Sequence, residues 1–176
     1  MLIENIRECE YGGFEGETYL NDRDGKVRVH FPSEAKREYA EKCVEYLQNM
    51  DKDMTQRLAK YAYRFFKDFS KYFDDDDYGT FIDMPQNVSE EDILKYVQFG
   101  SIIIEEECRE DRVEFHAECG CDWEIEHGFE FTVSGGKILY VGPFEDISPN
   151  NPERFAYYGF YDENADPIMN YADKEI

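Results

Sequence analysis

The sequence predicts an α+β fold, in which an antiparallel β-sheet meander carries a helical layer on one face. Two observations support this prediction. Apolar residues recur at helical spacing in the first half of the chain, and short strand-like runs separated by turn residues fill the second half. Strands joined by tight turns pair in sequence order, and helices with one apolar face need such a sheet to pack on.

The N-terminal part of the chain predicts a β-hairpin. A short strand near residues 15–20 leads into residues 21–25 (Asn-Asp-Arg-Asp-Gly), which have the composition of a turn. Residues 26–31 then alternate between polar and apolar side chains. That alternation is the pattern of a strand with one buried face.

Two helices are expected next, over about residues 34–48 and 52–73. Their apolar residues lie three or four positions apart, with a break near residues 49–51, where Asp51 can cap the second helix. A single continuous helix is the alternative, because the apolar stripe runs across the break. In either case the stripe is expected to pack on the sheet.

The rest of the chain predicts one short helix and four strands. Ser89 is the expected N-cap of the short helix, which has acidic residues in its first turn. No Ser/Gly linker or Pro-rich tract interrupts the sequence, so residues 1–176 are expected to form a single domain, with residues 150–176 as an aromatic and acidic arm packed on it. The four strands are expected at residues 99–108, 113–121, 129–133 and 137–141.

The amino-acid composition indicates a strongly acidic protein. The 41 Asp and Glu residues outnumber the 19 Lys and Arg residues, which gives a formal net charge of −22. Such a charge repels phosphate backbones and anionic membranes and attracts basic proteins. We therefore expect a basic protein partner, no nucleic acid and no membrane. Acidity that only confers solubility is the alternative, and the oligomeric state stays open.

The cysteines and the N-terminal residues indicate a cytoplasmic location. The five cysteines are an odd set without repeated spacing, which is typical of free thiols rather than a disulfide framework. The first twenty residues carry too many charges for a secretory signal peptide. The longest aliphatic run, Ile102 to Ile104, is far too short to span a bilayer.

The most informative motif is the segment from Asp122 to Gly128, which reads Asp-Trp-Glu-Ile-Glu-His-Gly between two predicted strands. The motif and the order of elements around it resemble an uncharacterised family of small acidic bacterial α+β proteins with a Trp-x-x-Glu-His-Gly loop. That family usually has Asp directly after Trp123 and Leu in the place of Phe129. The genes of its members look like genes carried near bacterial toxin and immunity loci. The resemblance therefore implies an immunity-type binding role, and it implies no catalytic residues.

This loop has two interpretations. In the first it is catalytic, with His127 as a general base that Glu126 or Asp122 orients, although no nucleophile motif, phosphate-binding glycine loop or HExxH motif accompanies it. In the second it is structural: Trp123 fills the core, Gly128 adopts a positive φ, and Glu126 and His127 tie the loop to the backbone. The structural interpretation is favoured.

Two further patterns resemble metal sites, yet no metal or cofactor is expected. Cys119 and Cys121 share a strand face with apolar residues, so they are expected to be core thiols rather than ligands beside His116. Residues 74–77 are four aspartates, but Pro85 stands where a calcium loop needs a bidentate glutamate.

The C-terminal arm interleaves aromatic residues with acids. Tyrosines beside carboxylates are typical of a surface that binds a basic protein. The alternative is that the arm simply packs on its own domain. The residues concerned include Tyr157, Tyr158, Tyr161 and Asp162.

Together these features favour a non-catalytic, acidic protein-binding module, of an immunity type, that masks a basic toxin or another basic partner. Two alternatives remain open: a small enzyme that uses His127 as a general base, and a structural or self-associating protein. The expected contact residues of the binding module are Trp123, Glu126, His127, Tyr157, Tyr158, Tyr161 and Asp162.

Overall fold

The structure, a computed structural model, describes residues 2–10, 12–20, 25–72, 84, 87–150 and 170–172. These residues confirm the α+β class. The two helices are α1 (Arg37–Gln48) and α2 (Lys52–Phe69). The strands are β1 (Glu4–Glu8), β2 (Phe14–Tyr19), β3 (Lys26–Phe31), β4 (Val97–Ile103), β5 (Glu114–Cys121), β6 (Phe129–Ser134) and β7 (Lys137–Gly142).

The seven strands form one sheet, in which they lie side by side in sequence order. Each neighbouring pair is antiparallel except β3 and β4, which run parallel. The predicted antiparallel meander is therefore correct within β1–β3 and within β4–β7, and wrong where these two blocks meet. Parallel neighbours need a long crossover connection, and α1 and α2 lie in the crossover between β3 and β4.

The interruption between the two helices was predicted correctly. The Asp51 side chain accepts a hydrogen bond from the backbone N–H of Met54 at 2.8 Å, which satisfies one of the amides that lack an acceptor at a helix N-terminus. The buried residues of α2 recur three or four positions apart, and this helix packs against β7. The apolar stripe therefore covers the sheet as expected.

The segment after α2 departs from the prediction in two places. The expected short helix is a single 3₁₀ turn at Ile93–Tyr96, and the Ser89 hydroxyl donates to the Asp92 carboxylate at 3.0 Å instead of capping it. The strand predicted at residues 99–108 ends earlier, at Ile103, because a turn follows in which the N–H of Cys108 donates to the carbonyl of Glu105 at 3.2 Å.

β1 was not predicted, since its side chains are mostly polar and exposed.

The main core lies between the sheet and the helices. It contains the aromatic residues Phe65 and Phe66 of α2 together with Trp123, Phe129 and Phe131, all of them fully buried. Burial of large aromatic side chains contributes strongly to stability because each removes a large apolar area from water.

The opposite face of β5 and β6 is also buried. Glu114 and His116 of β5 and Thr132 of β6 are inaccessible to solvent on this face. The segment after β7 contacts His116 and Thr132: Asp146 lies 3.9 Å from His116 Nε2, and the Thr132 hydroxyl donates to the carbonyl of Ile147 at 2.7 Å. Strand alternation placed Glu114 and His116 on this face, but it did not predict that the face is covered.

Residues 170–172 lie beside β7. The N–H of Tyr171 donates to the carbonyl of Val141 at 2.8 Å, and its ring stacks on Phe65 with centroids 5.0 Å apart. The rest of the predicted arm, residues 151–169 and 173–176, lies outside the described residues, so the arrangement expected for residues 150–176 stays a prediction. No helix in the described ranges is long and apolar enough to cross a membrane.

Candidate functional site

The segment from Asp122 to Gly128 connects β5 to β6 at one end of the sheet, and Trp123 anchors it. The indole is fully buried and meets the rings of Phe65, Phe66 and Phe129 edge-on, with centroids 5.8, 6.2 and 5.8 Å away. Such edge-to-face contacts add to the free energy of burial. Trp123 thus fills the core, as the structural interpretation of the loop expects.

Glu124 determines the shape of the loop. Its carboxylate is buried and accepts hydrogen bonds from the backbone N–H groups of Glu126 at 3.0 Å and His127 at 2.7 Å. Glu126 and His127 were expected to tie the loop to the backbone, and the hydrogen bonds described for them there use their main-chain atoms; the carbonyl of His127 also accepts the N–H of Phe144 at 3.3 Å. The backbone amides of those two residues are held by Glu124, which sequence reasoning did not single out.

Gly128 closes the loop in the conformation that was expected. Its φ is +71°, in the left-handed region that favours glycine, and a Cβ atom there would lie 2.5 Å from the carbonyl oxygen of Cys119. The backbone of the loop passes so close to β5 that a side chain does not fit. Trp123, Glu124 and Gly128 together leave the loop little freedom.

The tip of the loop faces solvent. The Ile125 residue is 56% exposed, Glu126 is exposed beside it, and 63% of the His127 side chain is accessible. Asp122, at the start of the loop, is half-buried and accepts a hydrogen bond from the side-chain amide of Gln98 at 2.8 Å. The tip therefore presents one large apolar side chain next to a carboxylate and an imidazole.

The geometry around His127 differs from that of an oriented general base. Its Nδ1 atom lies 3.5 Å from Glu124, whose carboxylate already accepts two backbone hydrogen bonds. The catalytic interpretation expects Glu126 or Asp122 to orient the imidazole, and the ion pair described for His127 is with Glu124 instead. One ligand atom each of Glu124, Glu126 and His127 could approach a metal ion together, since these atoms lie within 4.8 Å of one another.

The cysteines are free thiols, and the two in β5 lie in the core as expected. Burial raises the pKa of the Cys121 thiol, and it raises the pKa of Cys43 to about 12 and that of Cys108 to about 11. At neutral pH these groups are thiols rather than the thiolates that attack electrophiles or bind metals.

A second polar cluster, which sequence reasoning missed, lies on the covered face of the sheet. The buried imidazole of His116 bonds through Nδ1 to Glu130 at 2.8 Å and through Nε2 to Glu105 at 3.3 Å. Burial lowers the pKa of His116, but the two carboxylates outweigh burial and raise that pKa to about 9. The sequence signal that could have predicted this cluster is the presence of polar residues, such as His116 and Glu130, on two strands that were expected to be neighbours.

Four of the expected contact residues belong to the C-terminal arm. Tyr157, Tyr158, Tyr161 and Asp162 lie outside the described residues, so their role stays a prediction. The structure does place Trp123, Glu126 and His127 in one loop, with Trp123 buried and the other two exposed.

Comparison with known proteins identifies one matching family. The model of a family described as "Domain of unknown function (DUF6985)" matches residues 5–148, which include all seven strands except the first residue of β1. This match confirms the expected resemblance to an uncharacterised family. No curated protein matches the chain, and no solved structure matches it.

Proposed function

We propose that this chain, which belongs to the DUF6985 family of domains of unknown function, is a non-catalytic, acidic protein-binding module. One observation supports the proposal above the others: the buried residues Trp123 and Glu124 fix a loop whose tip exposes Ile125. A loop that is ordered before it binds loses little conformational entropy on binding, so more of the contact energy appears as affinity.

The apolar tip is the contact that a partner would cover. The large hydrophobic residues that are strongly exposed in the described part of the chain are Tyr19, at 54%, and Ile125, at 56%. Strand register places both at the same end of the sheet, since Tyr19 pairs with the start of β3 and the start of β4 pairs with Cys121. Burying a side chain such as Ile125 contributes about 1.5–3 kcal/mol.

The charge around the loop favours a basic partner. Residues 113–136 contain six acidic residues and neither lysine nor arginine, and the whole chain carries a net charge of −22. A partner with the opposite charge is attracted over long distances, which raises its association rate and makes binding sensitive to salt. In our proposal the partner is a basic protein such as a toxin nuclease, which an immunity-type protein masks in the bacterial cytoplasm.

The proposal is tested by capturing proteins from a lysate of the native host on the immobilised full-length chain at low salt. The wild type is compared with Ile125→Ala and with Glu107→Ala, a control in the exposed turn at the opposite end of the sheet. We expect mass spectrometry to detect one basic protein captured by the wild type and by Glu107→Ala, and released from both by high salt. Ile125→Ala should retain that protein only weakly. Equal retention by both variants, or capture of no basic protein, would contradict the proposal.

A further inference from the structure

We propose that Glu105, His116 and Asp146 form a binding site for a divalent transition-metal cation on the covered face of the sheet. One ligand atom from each residue lies within 4.8 Å of the others. The site lies apart from the Asp122–Gly128 loop, and it does not depend on the proposed protein-binding function.

The orientation of His116 is the first argument. Its Nδ1 bonds to the fully buried carboxylate of Glu130 at 2.8 Å, which fixes the plane of the imidazole and directs Nε2 away from Glu130. Histidines that bind metals usually donate their other ring N–H to a carboxylate or carbonyl in this way, which orients the ring and makes the coordinating nitrogen a better ligand.

The position of Asp146 is the second argument. Glu130 also accepts hydrogen bonds from the backbone N–H groups of Glu145 at 2.8 Å and Ile147 at 2.9 Å, and these two bonds flank Asp146. Asp146 adopts a φ of +55°, and its carboxylate lies 3.9 Å from His116 Nε2. The same buried glutamate therefore positions both the imidazole and the carboxylate above it.

The two distances from His116 Nε2 are close to those between ligands of a metal ion, and the carboxylate oxygens of Glu105 and Asp146 lie within 4.8 Å of each other. Ligand atoms bound to Zn²⁺ at about 2.0–2.2 Å lie roughly 3–3.5 Å from one another in tetrahedral geometry. The distance from His116 Nε2 to Glu105 is already 3.3 Å, and the 3.9 Å distance to Asp146 needs a movement of roughly half an ångström. The Asp146 side chain is 73% exposed, so it can make that movement and the cation can reach the site from solvent.

The charge of the cluster also favours a cation. Three carboxylates, from Glu105, Glu130 and Asp146, surround one imidazole, and His116 is the partner that they share in the described ion pairs. A bound cation would take the Nε2 lone pair, and the proton held there in the metal-free protein would leave to solvent. One nitrogen and two oxygen ligands suit Zn²⁺ and its first-row neighbours better than Ca²⁺.

The test is isothermal titration of the full-length, chelator-treated protein with Zn²⁺. Asp146→Gly removes one ligand, and glycine accepts the positive φ, so this variant should fold. Glu105→Gln removes the charge of a second ligand. We expect each variant to weaken Zn²⁺ binding at least tenfold. Without metal, Asp146→Gly should unfold at a temperature close to that of the wild type, whereas Glu105→Gln should unfold at a lower temperature because it also loses its ion pair with His116.

Control variants separate this site from two other groups of potential ligands. His127→Ala disrupts the group formed by Glu124, Glu126 and His127, and Cys9→Ser disrupts the group formed by Cys9, Glu15 and His30. Both controls should bind Zn²⁺ like the wild type, and Co²⁺ bound to the wild type should show no thiolate charge-transfer band. Absence of stoichiometric binding, or binding lost in a control and retained in Asp146→Gly, would overturn the proposal.

Discussion

Replacing Glu124 by glutamine should destabilise the folded protein by about 2 kcal/mol. The buried carboxylate accepts the N–H groups of Glu126 and His127 at 3.0 and 2.7 Å. A glutamine keeps one acceptor oxygen but turns its NH₂ group toward the other N–H, so one hydrogen bond to a charged group, worth about 1.5–3 kcal/mol, is lost and a donor is left unpaired. The lower cost of burying an amide instead of a carboxylate offsets part of this loss.

The assay is guanidinium unfolding followed by the fluorescence of Trp123, the single tryptophan of the chain, which is fully buried in the native state. Glu126→Gln is the matched control, because it makes the same chemical change two residues away on an exposed side chain. The control should change the unfolding free energy by less than about 0.5 kcal/mol. Glu124→Gln should lower the guanidinium concentration at the midpoint of unfolding, while the dependence of the unfolding free energy on guanidinium concentration stays unchanged. Coinciding midpoints for the two variants would show that Glu124 does not hold the loop.

Three further predictions concern other parts of the structure. Gly128→Ala should cost at least about 2 kcal/mol in urea unfolding, and clearly more than Gly136→Ala, which shares a positive φ but has no atom within 4 Å of a new Cβ. Glu130→Gln should lower the free energy of unfolding by about 3 kcal/mol because it breaks a buried charged network. The same change at the half-buried Glu118 should lower it by less than about 1 kcal/mol, and equal losses for the two variants would refute this prediction. Under native conditions iodoacetamide should modify Cys9 first, and intact-mass spectrometry should show one adduct, against five after denaturation.

The parts of the fold that the sequence predicted are those with local signals. The helical spacing of apolar residues, the cap at Asp51 and the alternation of β3 each depend on residues close together in the chain. The parallel pairing of β3 with β4 has no local signal, because it depends on the direction in which a long crossover returns the chain. β1 lacks an apolar face, so its pairing with β2 becomes visible only in the sheet.

The candidate site was predicted in outline and not in detail. The sequence identified the Asp122–Gly128 loop, the burial of Trp123 and the positive φ of Gly128, since aromatic and glycine residues between strands have few other uses. It did not distinguish Glu124 from Glu126, because chain order does not show which carboxylate turns inward. The cluster around His116 was missed because polar residues on a strand face ordinarily indicate exposure.

The most direct test of the proposed function compares two charge reversals against the purified captured partner. Glu126→Lys alters the tip of the loop, and Glu107→Lys alters an exposed turn at the opposite end of the sheet, so both change the net charge equally. At moderate salt, the increase in the dissociation constant should be at least tenfold larger for Glu126→Lys than for Glu107→Lys. Both variants lose the same long-range attraction, but only Glu126→Lys also loses short-range contacts with the partner. Equal dissociation constants for the two variants would contradict the claim that this loop contacts a basic partner.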